Sequence, residues 1–431
     1  MPISWQVGAV IDGLYEILAV FSSGGMGTVY RVRHLGWNID LALKHPKPGL
    51  LGDPDTVLLF EQECEAWVGI GLHPHVATCH YTKRVSNVPC VFAEFVDGGS
   101  LRDWIDSKRL YRGEEAAIVA RIIGIAIQFS WGLAWAHQHR LIHSDVKPGN
   151  VLMTSDGLVK VTDFGLAKAG RCLTANDTSL FVSAGGMTPG YCSPEQAAYG
   201  QLTFATDVWS WAVSVLEMFM GGICWQHGPA AGAALTAYGE QGRRTRCMPE
   251  MPVMVFKLLG ECLQRNPAQR PTDFKKIAAL LRGFYRELFG EEFELDEPDE
   301  KLLIPDALNN RAVCLVDLGR IDEASALLKQ ALALESDHPE ALYNSSLLIV
   351  NLHRTTVLRL AVPRSGAEYS HNTRRFKRLM EKARIAAGTG RRDDALRYLH
   401  TARELPGFER HPAIRASNVS LDDFLSRSYV Q

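Results

Sequence analysis

The sequence predicts an α+β fold followed by an all-α helical-repeat domain. Three observations carry that prediction. Up to Val96, β-branched and aromatic stretches are separated by turn residues around a glycine-bearing loop, as in a small antiparallel sheet. Two apolar runs, residues 116–137 and 207–222, have the length of buried helices and lie on either side of a polar loop, residues 143–150. Ala307-Leu308-Asn309-Asn310-Arg311-Ala312 then recurs as Ala341-Leu342-Tyr343-Asn344-Ser345-Ser346, a period of about 34 residues.

Bulk properties agree with this division. A chain of 431 residues is too long for one ordinary core, and 46% hydrophobic with 22% charged residues is a normal globular balance, so two or three domains are expected. A formal net charge of −2 gives no global reason to invoke nucleic acid or a membrane surface. The nine cysteines are an odd number with no C-x-x-C pair, which suits reduced thiols better than a disulfide frame or a zinc ribbon. Met1-Pro2-Ile3-Ser4-Trp5 is not a basic segment leading into an apolar core, so no signal peptide is read and a cytoplasmic location is expected. The runs 116–137 and 207–222 pass for membrane spans by length, but Arg121, Gln128, Asp207 and Glu217 within them favour helices buried in protein.

Taken in order, Tyr15–Phe21 and residues 29–32 flank the turn Ser22–Gly27 and read as a hairpin, whose glycines let backbone N–H groups approach phosphate oxygens. Lys44 closes a third apolar strand, where an inward lysine needs an anionic partner. A helix follows from about Asp55 to Gly71, carrying Glu61, Glu63 and Glu65. His73, His75, Cys79 and His80 lack the paired spacing of a metal site and read as a turn. Residues 91–96 form a strand entering Asp97-Gly98-Gly99-Ser100-Leu101, a turn and a capped helix.

The loop His143-Ser144-Asp145-Val146-Lys147-Pro148-Gly149-Asn150 lies between an apolar helix and the strand Val151-Leu152-Met153. A carboxylate at Asp145 can accept a proton from an attacking hydroxyl, and a carboxamide five residues on, Asn150, can hold a divalent metal on a nucleotide phosphate. Lys147 sits where it neutralises charge on the group in transfer. Another strand, residues 158–162, precedes Asp163-Phe164-Gly165, and residues 166–190 are rich in glycine, serine and threonine, as a mobile segment is.

The spacing H-x-D-x-x-x-x-N, together with Gly24-Gly25-Met26-Gly27, Leu41-Ala42-Leu43-Lys44, Asp163-Phe164-Gly165 and Ser193-Pro194-Glu195 in that order, resembles eukaryotic-like, Hanks-type serine/threonine protein kinases over roughly residues 15–285. The resemblance implies an α+β bilobal protein-kinase fold, ATP and Mg²⁺ (or Mn²⁺) as cofactors, and a protein substrate. It places Ser22, Gly24, Gly25 and Gly27 over the phosphates, with Ser22 where the family's first glycine stands. Lys44 would orient the phosphates and pair with Glu63; Val29, Ala42 and Leu152 would sandwich the purine. Ala93 falls at the gatekeeper, and backbone near Glu94 and Val96 at the adenine hinge. Asp145 becomes the base, Lys147 its cationic neighbour, and Asn150 and Asp163 the metal ligands. Thr188 belongs to the substrate-positioning stretch 186–191, Glu195 would pair with Arg270, and Asp207 would brace the catalytic loop. Lys147 favours serine/threonine over tyrosine as acceptor. Ser144 replaces the arginine that receives an activation-loop phosphate, so such phosphorylation is not expected to be an obligatory switch. The rival reading is a pseudokinase scaffold that binds nucleotide weakly and acts through its repeats; Ser22 and Ser144 speak for it, and the full set of charged catalytic residues against it.

The 34-residue period, with Leu318-Gly319-Arg320, Glu323-Ala324, Ala331 and Pro339, resembles a tetratricopeptide repeat. The expected division is an N-terminal segment 1–14, a kinase domain 15–286 with its small lobe to about 96, an acidic linker 287–304, repeats 305–415 and a tail 416–431. Helices at 374–388 and 393–405 echo the repeat, and their basic residues from Arg374 to Arg384 read as a solvated face rather than a nucleic-acid patch. So few repeats do not bury their own faces, so the domain is expected to dock on its own kinase domain and to offer a groove to a protein partner. The oligomeric state is left open.

Overall fold

The structure, a computed structural model, describes residues 5–21, 27–46, 67–68, 70–86, 88–164, 180–181, 188–243, 245, 248–349, 394, 397 and 401. It divides into two compact units. One is Met1–Leu58, Thr78–Phe95 and Asp299–Gln431; the other is Leu59–Ala77 and Val96–Pro298.

The first unit is built on an antiparallel sheet in the order β1-β2-β3-β4-β6-β5. Its strands are β1 (Val10–Ile11), β2 (Tyr15–Phe21), β3 (Gly27–His34), β4 (Ile39–Pro46), β5 (Cys79–Val85) and β6 (Val88–Glu94). Period-two patterning sorts the side chains onto two faces. The register Val29↔Lys44, Ala42↔Ala93 and Lys44↔Val91 puts these residues on one face. Tyr30, Val32, Leu41, Leu43 and Phe92 point to the other, where they are buried with Tyr15, Ile17 and Tyr81. Lys44 is not the last residue of its strand, because β4 continues through His45 to Pro46. Nor is the N-terminal segment separate from the sheet: β1 pairs with β2, and the Trp5 ring lies 5.4 Å from that of Tyr30 and 5.3 Å from that of His45. Composition before Tyr15 carries no strand-like run, so only the docking of Trp5 and β1 reveals this.

The second unit is mainly helical: α1 (Leu101–Asp106), α2 (Glu115–Gln138), α3 (Pro194–Ala197), α4 (Phe204–Met220), α5 (Ala231–Gln241), α6 (Val253–Cys262) and α7 (Phe274–Phe289). The hairpin of β7 (Val151–Met153) and β8 (Val159–Val161) and the short pair β9 (Leu180–Phe181) and β10 (Gln201–Leu202) complete it. Ser100 caps α1 through a reciprocal bond pattern with Asp103, and Asp273 caps α7. Among the described residues α2 alone is long and apolar enough to cross a membrane, and 78% of its apolar window is buried inside the unit. Gly132 lets it approach the chain at His75, whose carbonyl a Cβ there would strike.

The acidic stretch after α7 is not wholly a solvated joint. The helix runs to Phe289 and ends on Gly290 in a left-handed turn, and Phe293 then buries its ring against Gly124, Trp131 and Tyr285. One aromatic residue thus anchors a segment whose charge pattern reads as linker.

The repeat helices are α8 (Glu300–Asp317), α9 (Ile321–Leu334) and α10 (Pro339–Ile349). The first begins at Glu300 rather than 305, with Pro305 inside it, where the missing N–H leaves a backbone bond of the second turn unmade. Gly319, at φ +78°, turns the chain between α8 and α9. Ala312, Ala324, Ala331 and Ala341 let the helices pack closely around Leu315 and Leu328. His338 precedes α10 and caps it: Nδ1 accepts the Ala341 N–H at 3.1 Å while Nε2 lies 2.7 Å from Asp306 Oδ1. Val313 and Cys314 of α8 and Leu342 and Tyr343 of α10 pack against the aromatic face of the sheet. The fold is therefore α+β, an antiparallel sheet in one unit and a mainly helical second unit, with helical repeats of which the first is part of the same unit as the sheet.

Candidate active site

In the second unit, the polar loop after α2 is shaped by a buried carboxylate. Asp207, fully buried in the first turn of α4, accepts the backbone N–H groups of His143 and Ser144, each at 2.8 Å, and bonds His137 Nε2 at 2.8 Å. Gln196 Nε2 donates to the Ser144 carbonyl at 2.7 Å. Between these bonds Ser144 is held at φ +60°, a conformation an unrestrained serine seldom adopts. The turn that follows delivers Asp145 and Lys147.

Asp145 is 5% exposed, yet its carboxylate is fully engaged. Lys147 Nζ donates to Oδ2 at 2.6 Å, Thr188 Oγ1 donates to Oδ1 at 2.7 Å, and Asn150 Nδ2 donates to Oδ2 at 3.2 Å and to the Asp145 carbonyl at 2.9 Å. Lys147 also donates to Thr188 Oγ1 at 2.7 Å, closing a ring of three side chains. The β7–β8 hairpin links this loop to Asp163: Thr162 N–H donates to the Asn150 carbonyl at 3.0 Å, one step beyond the Val151↔Val161 pair. His143 Nε2 meets the Thr162 carbonyl at 2.9 Å, and the buried Phe164 ring lies 4.8 Å from the His143 ring. Asp163 itself sits at φ +62°. The hairpin register thus brings Asn150 and Asp163 to the same end.

Beneath the loop, Arg270 makes a bidentate pair with Glu195 at 2.8 and 2.9 Å. Its buried guanidinium also donates to the carbonyls of Gln264 and Ala205 and lies over the Trp209 ring. Burial raises the Glu195 pKa, but the Arg270 bonds and charge outweigh it, and the carboxyl is held below its usual range.

A second network escaped sequence reasoning. Glu217, buried in α4, accepts from Tyr191 at 2.6 Å and from Arg102 at 2.7 Å, and Arg102 also donates to the Tyr191 hydroxyl. Tyr191 stands three residues beyond Thr188, so this network fixes the far end of the stretch that supplies the threonine. The carboxylate in an apolar helix was a visible signal; its partner, 115 positions away, was not.

In the first unit, Val29, Ala42, Lys44 and Ala93 share one sheet face, and Ala93 is 4% exposed. Glu94 N–H is taken by the Thr78 carbonyl at 2.8 Å, so a purine can use Glu94 through its carbonyl. Gly27 has a structural reason of its own, since a Cβ there would collide with the His45 carbonyl. In the second unit Val96 is buried, and half-buried Leu152 is bridged to Ser100. Ser22, Gly24, Gly25 and Glu63 lie outside the described residues. In the turn before β5, His73 Nδ1 accepts the His75 N–H and His75 Nδ1 meets the Val159 carbonyl at 3.0 Å.

A divalent metal suits the donors present. With its amide nitrogen on Asp145, Asn150 turns its oxygen away from that residue, and with the Asp163 carboxylate this gives the all-oxygen set that hard cations prefer.

Comparison with known proteins agrees with this geometry. The protein tyrosine and serine/threonine kinase family matches residues 16–281, and the coatomer epsilon subunit family matches residues 297–403. The serine/threonine-protein kinase PknL of Mycobacterium tuberculosis is 30% identical over 297 residues, 67% of this chain and 70% of that protein. PrkC of Bacillus subtilis is 27% identical over 68% of this chain and 44% of its own length, and PknA of Corynebacterium glutamicum 28% over 63% and 56%. With the kinase family matched over more than half its length, and a bacterial serine/threonine kinase similar across two thirds of it, this chain belongs to the protein kinases.

Proposed function

We propose that this kinase transfers the γ-phosphoryl group of ATP to a serine or threonine hydroxyl of a protein substrate. The observation that carries the reading is the closed ring of Asp145, Lys147 and Thr188. Asp145 receives the proton of the attacking hydroxyl at Oδ1, the oxygen that Thr188 engages in its absence. Lys147, already 2.6 Å from Oδ2, offers positive charge beside the group in transfer. Asn150 and Asp163 would hold Mg²⁺, which when bound neutralises charge on the phosphates. Lys44, on the sheet face that carries Val29, Ala42 and Ala93, would orient nucleotide phosphates. The repeats serve as a protein-binding module.

Asp145→Asn keeps the shape of the ring and removes its basicity. Phosphoryl transfer to a protein acceptor should fall about a thousandfold, within what a positioned general base contributes, with nucleotide binding retained. A rate within tenfold of the wild type would remove Asp145 from its role and revive the scaffold reading.

A further inference from the structure

The sheet of the first unit is a single layer with two distinct faces. One presents Val29, Ala42, Lys44 and Ala93; the other is covered by α8 and α10. At the end of α8, Asp317 reaches two strands directly and a third through a tyrosine. Its Oδ2 accepts the Tyr15 hydroxyl of β2 at 3.3 Å, its Oδ1 lies 3.5 Å from His34 Nε2 at the end of β3, and Tyr15 in turn meets Tyr81 of β5. The Tyr15 and Tyr81 hydroxyls are themselves 2.7 Å apart. His34 Nδ1 accepts the Trp37 N–H at 2.9 Å, so its ring proton is on Nε2 and faces Asp317. Burial works against the charge of Asp317, yet the neighbouring His34 ring N–H and the Lys83 charge outweigh it and lower its pKa. An ionised carboxylate is therefore held where apolar contacts alone would cover the sheet.

In the sheet order, β3 and β5 flank the β4–β6 pair, which carries Lys44 and Ala93. We propose that Asp317 is a positioning residue for nucleotide binding: it ties the repeat domain to β2, β3 and β5, and so fixes the strands between them that present Lys44. Nucleotide affinity in this kinase is thus set partly from the repeats, through the back of the sheet.

The test uses the full chain. Asp317→Ala should raise the KM for ATP and its directly measured Kd by about three- to tenfold, the size of coupling exerted by residues remote from a ligand. The kcat should stay within about twofold, because Asp145 and its neighbours lie in the other unit. Asp317→Asn, which keeps an acceptor oxygen, should show a smaller shift in the same direction. A lowered melting temperature with KM and Kd unchanged would make Asp317 a structural residue only and overturn the proposal. Should Asp317→Ala not fold, Tyr15→Phe keeps the ring and removes only the hydroxyl; unchanged ATP affinity in folded Tyr15→Phe would equally refute it. The affinity readout rests on ATP as donor, and hydrogen exchange separates the two ideas. Faster exchange of β4 and β6 amides in Asp317→Ala, in a protein whose wild type binds no ATP, would fault the donor and leave the tie standing.

Discussion

Two histidines show how burial of single residues converts into pH dependence. His75 is buried between α2 and the β7–β8 hairpin; burial drags its pKa from 6.5 to about 4, against the Val159 carbonyl bond and with help from the Lys160 charge. His73, stacked on Trp135, is lowered by burial, then by His75 and Lys160. Both folded-state values lie below the unfolded ones, so the unfolded chain takes up protons first. Their contribution is complete above pH 6.5 and is lost as the pH falls toward 4. Denaturant titrations should show stability falling by about 1.4 kcal/mol per pH unit from His75 alone. His75→Gln should flatten the slope; an unchanged slope would move the titration elsewhere. At this scale the candidate catalytic residues could be picked out because their chemistry is local: Asp145, Lys147 and Asn150 lie within six positions. Of the residues that hold them, Asp207 was expected through the resemblance, whereas Gln196 reaches the loop only through folding and was missed.

Elements reveal where composition misleads. Hydrophobic period and turn residues located the strands and α2, because both signals are set within one element. The stretch after α7 defeated them: its run of glutamates reads as solvent-facing, and a single phenylalanine contradicts it. Phe293→Ala should cost about 3 kcal/mol, the lower part of the range for truncating a buried phenylalanine. Thermal unfolding of the full chain would detect the loss in the transition of the second unit. A change below about 0.5 kcal/mol would mean that the ring is not anchored. Gly124 makes a companion test, because even a methyl group there would press on the same ring.

For the whole molecule, the expected docking of the repeats on the kinase domain takes a definite form: α8 and α10 cover the aromatic face of the sheet. The sequence announced the repeats and the need to bury them, but Tyr15 and Asp317 are 302 positions apart and nothing local ties them. Tyr15 and Ile17, Tyr30 and Val32, and Leu41 and Leu43 recur with strand period, which tells that one face is buried without telling by what. A chain ending at Pro298 should therefore expose that face, aggregate and melt lower than the full chain. A soluble, monomeric truncation with an unchanged melting temperature would show that the sheet needs no cover.

That cover has a thermodynamic corollary. If occupancy of one sheet face alters affinity at the other, the two effects are equal in factor, whichever ligand arrives first. A partner that loosens ATP fivefold by pulling on α8 must itself be loosened fivefold by ATP. The energy charge of the cell then becomes an input to whatever the repeats bind, even in a complex where no phosphate is transferred.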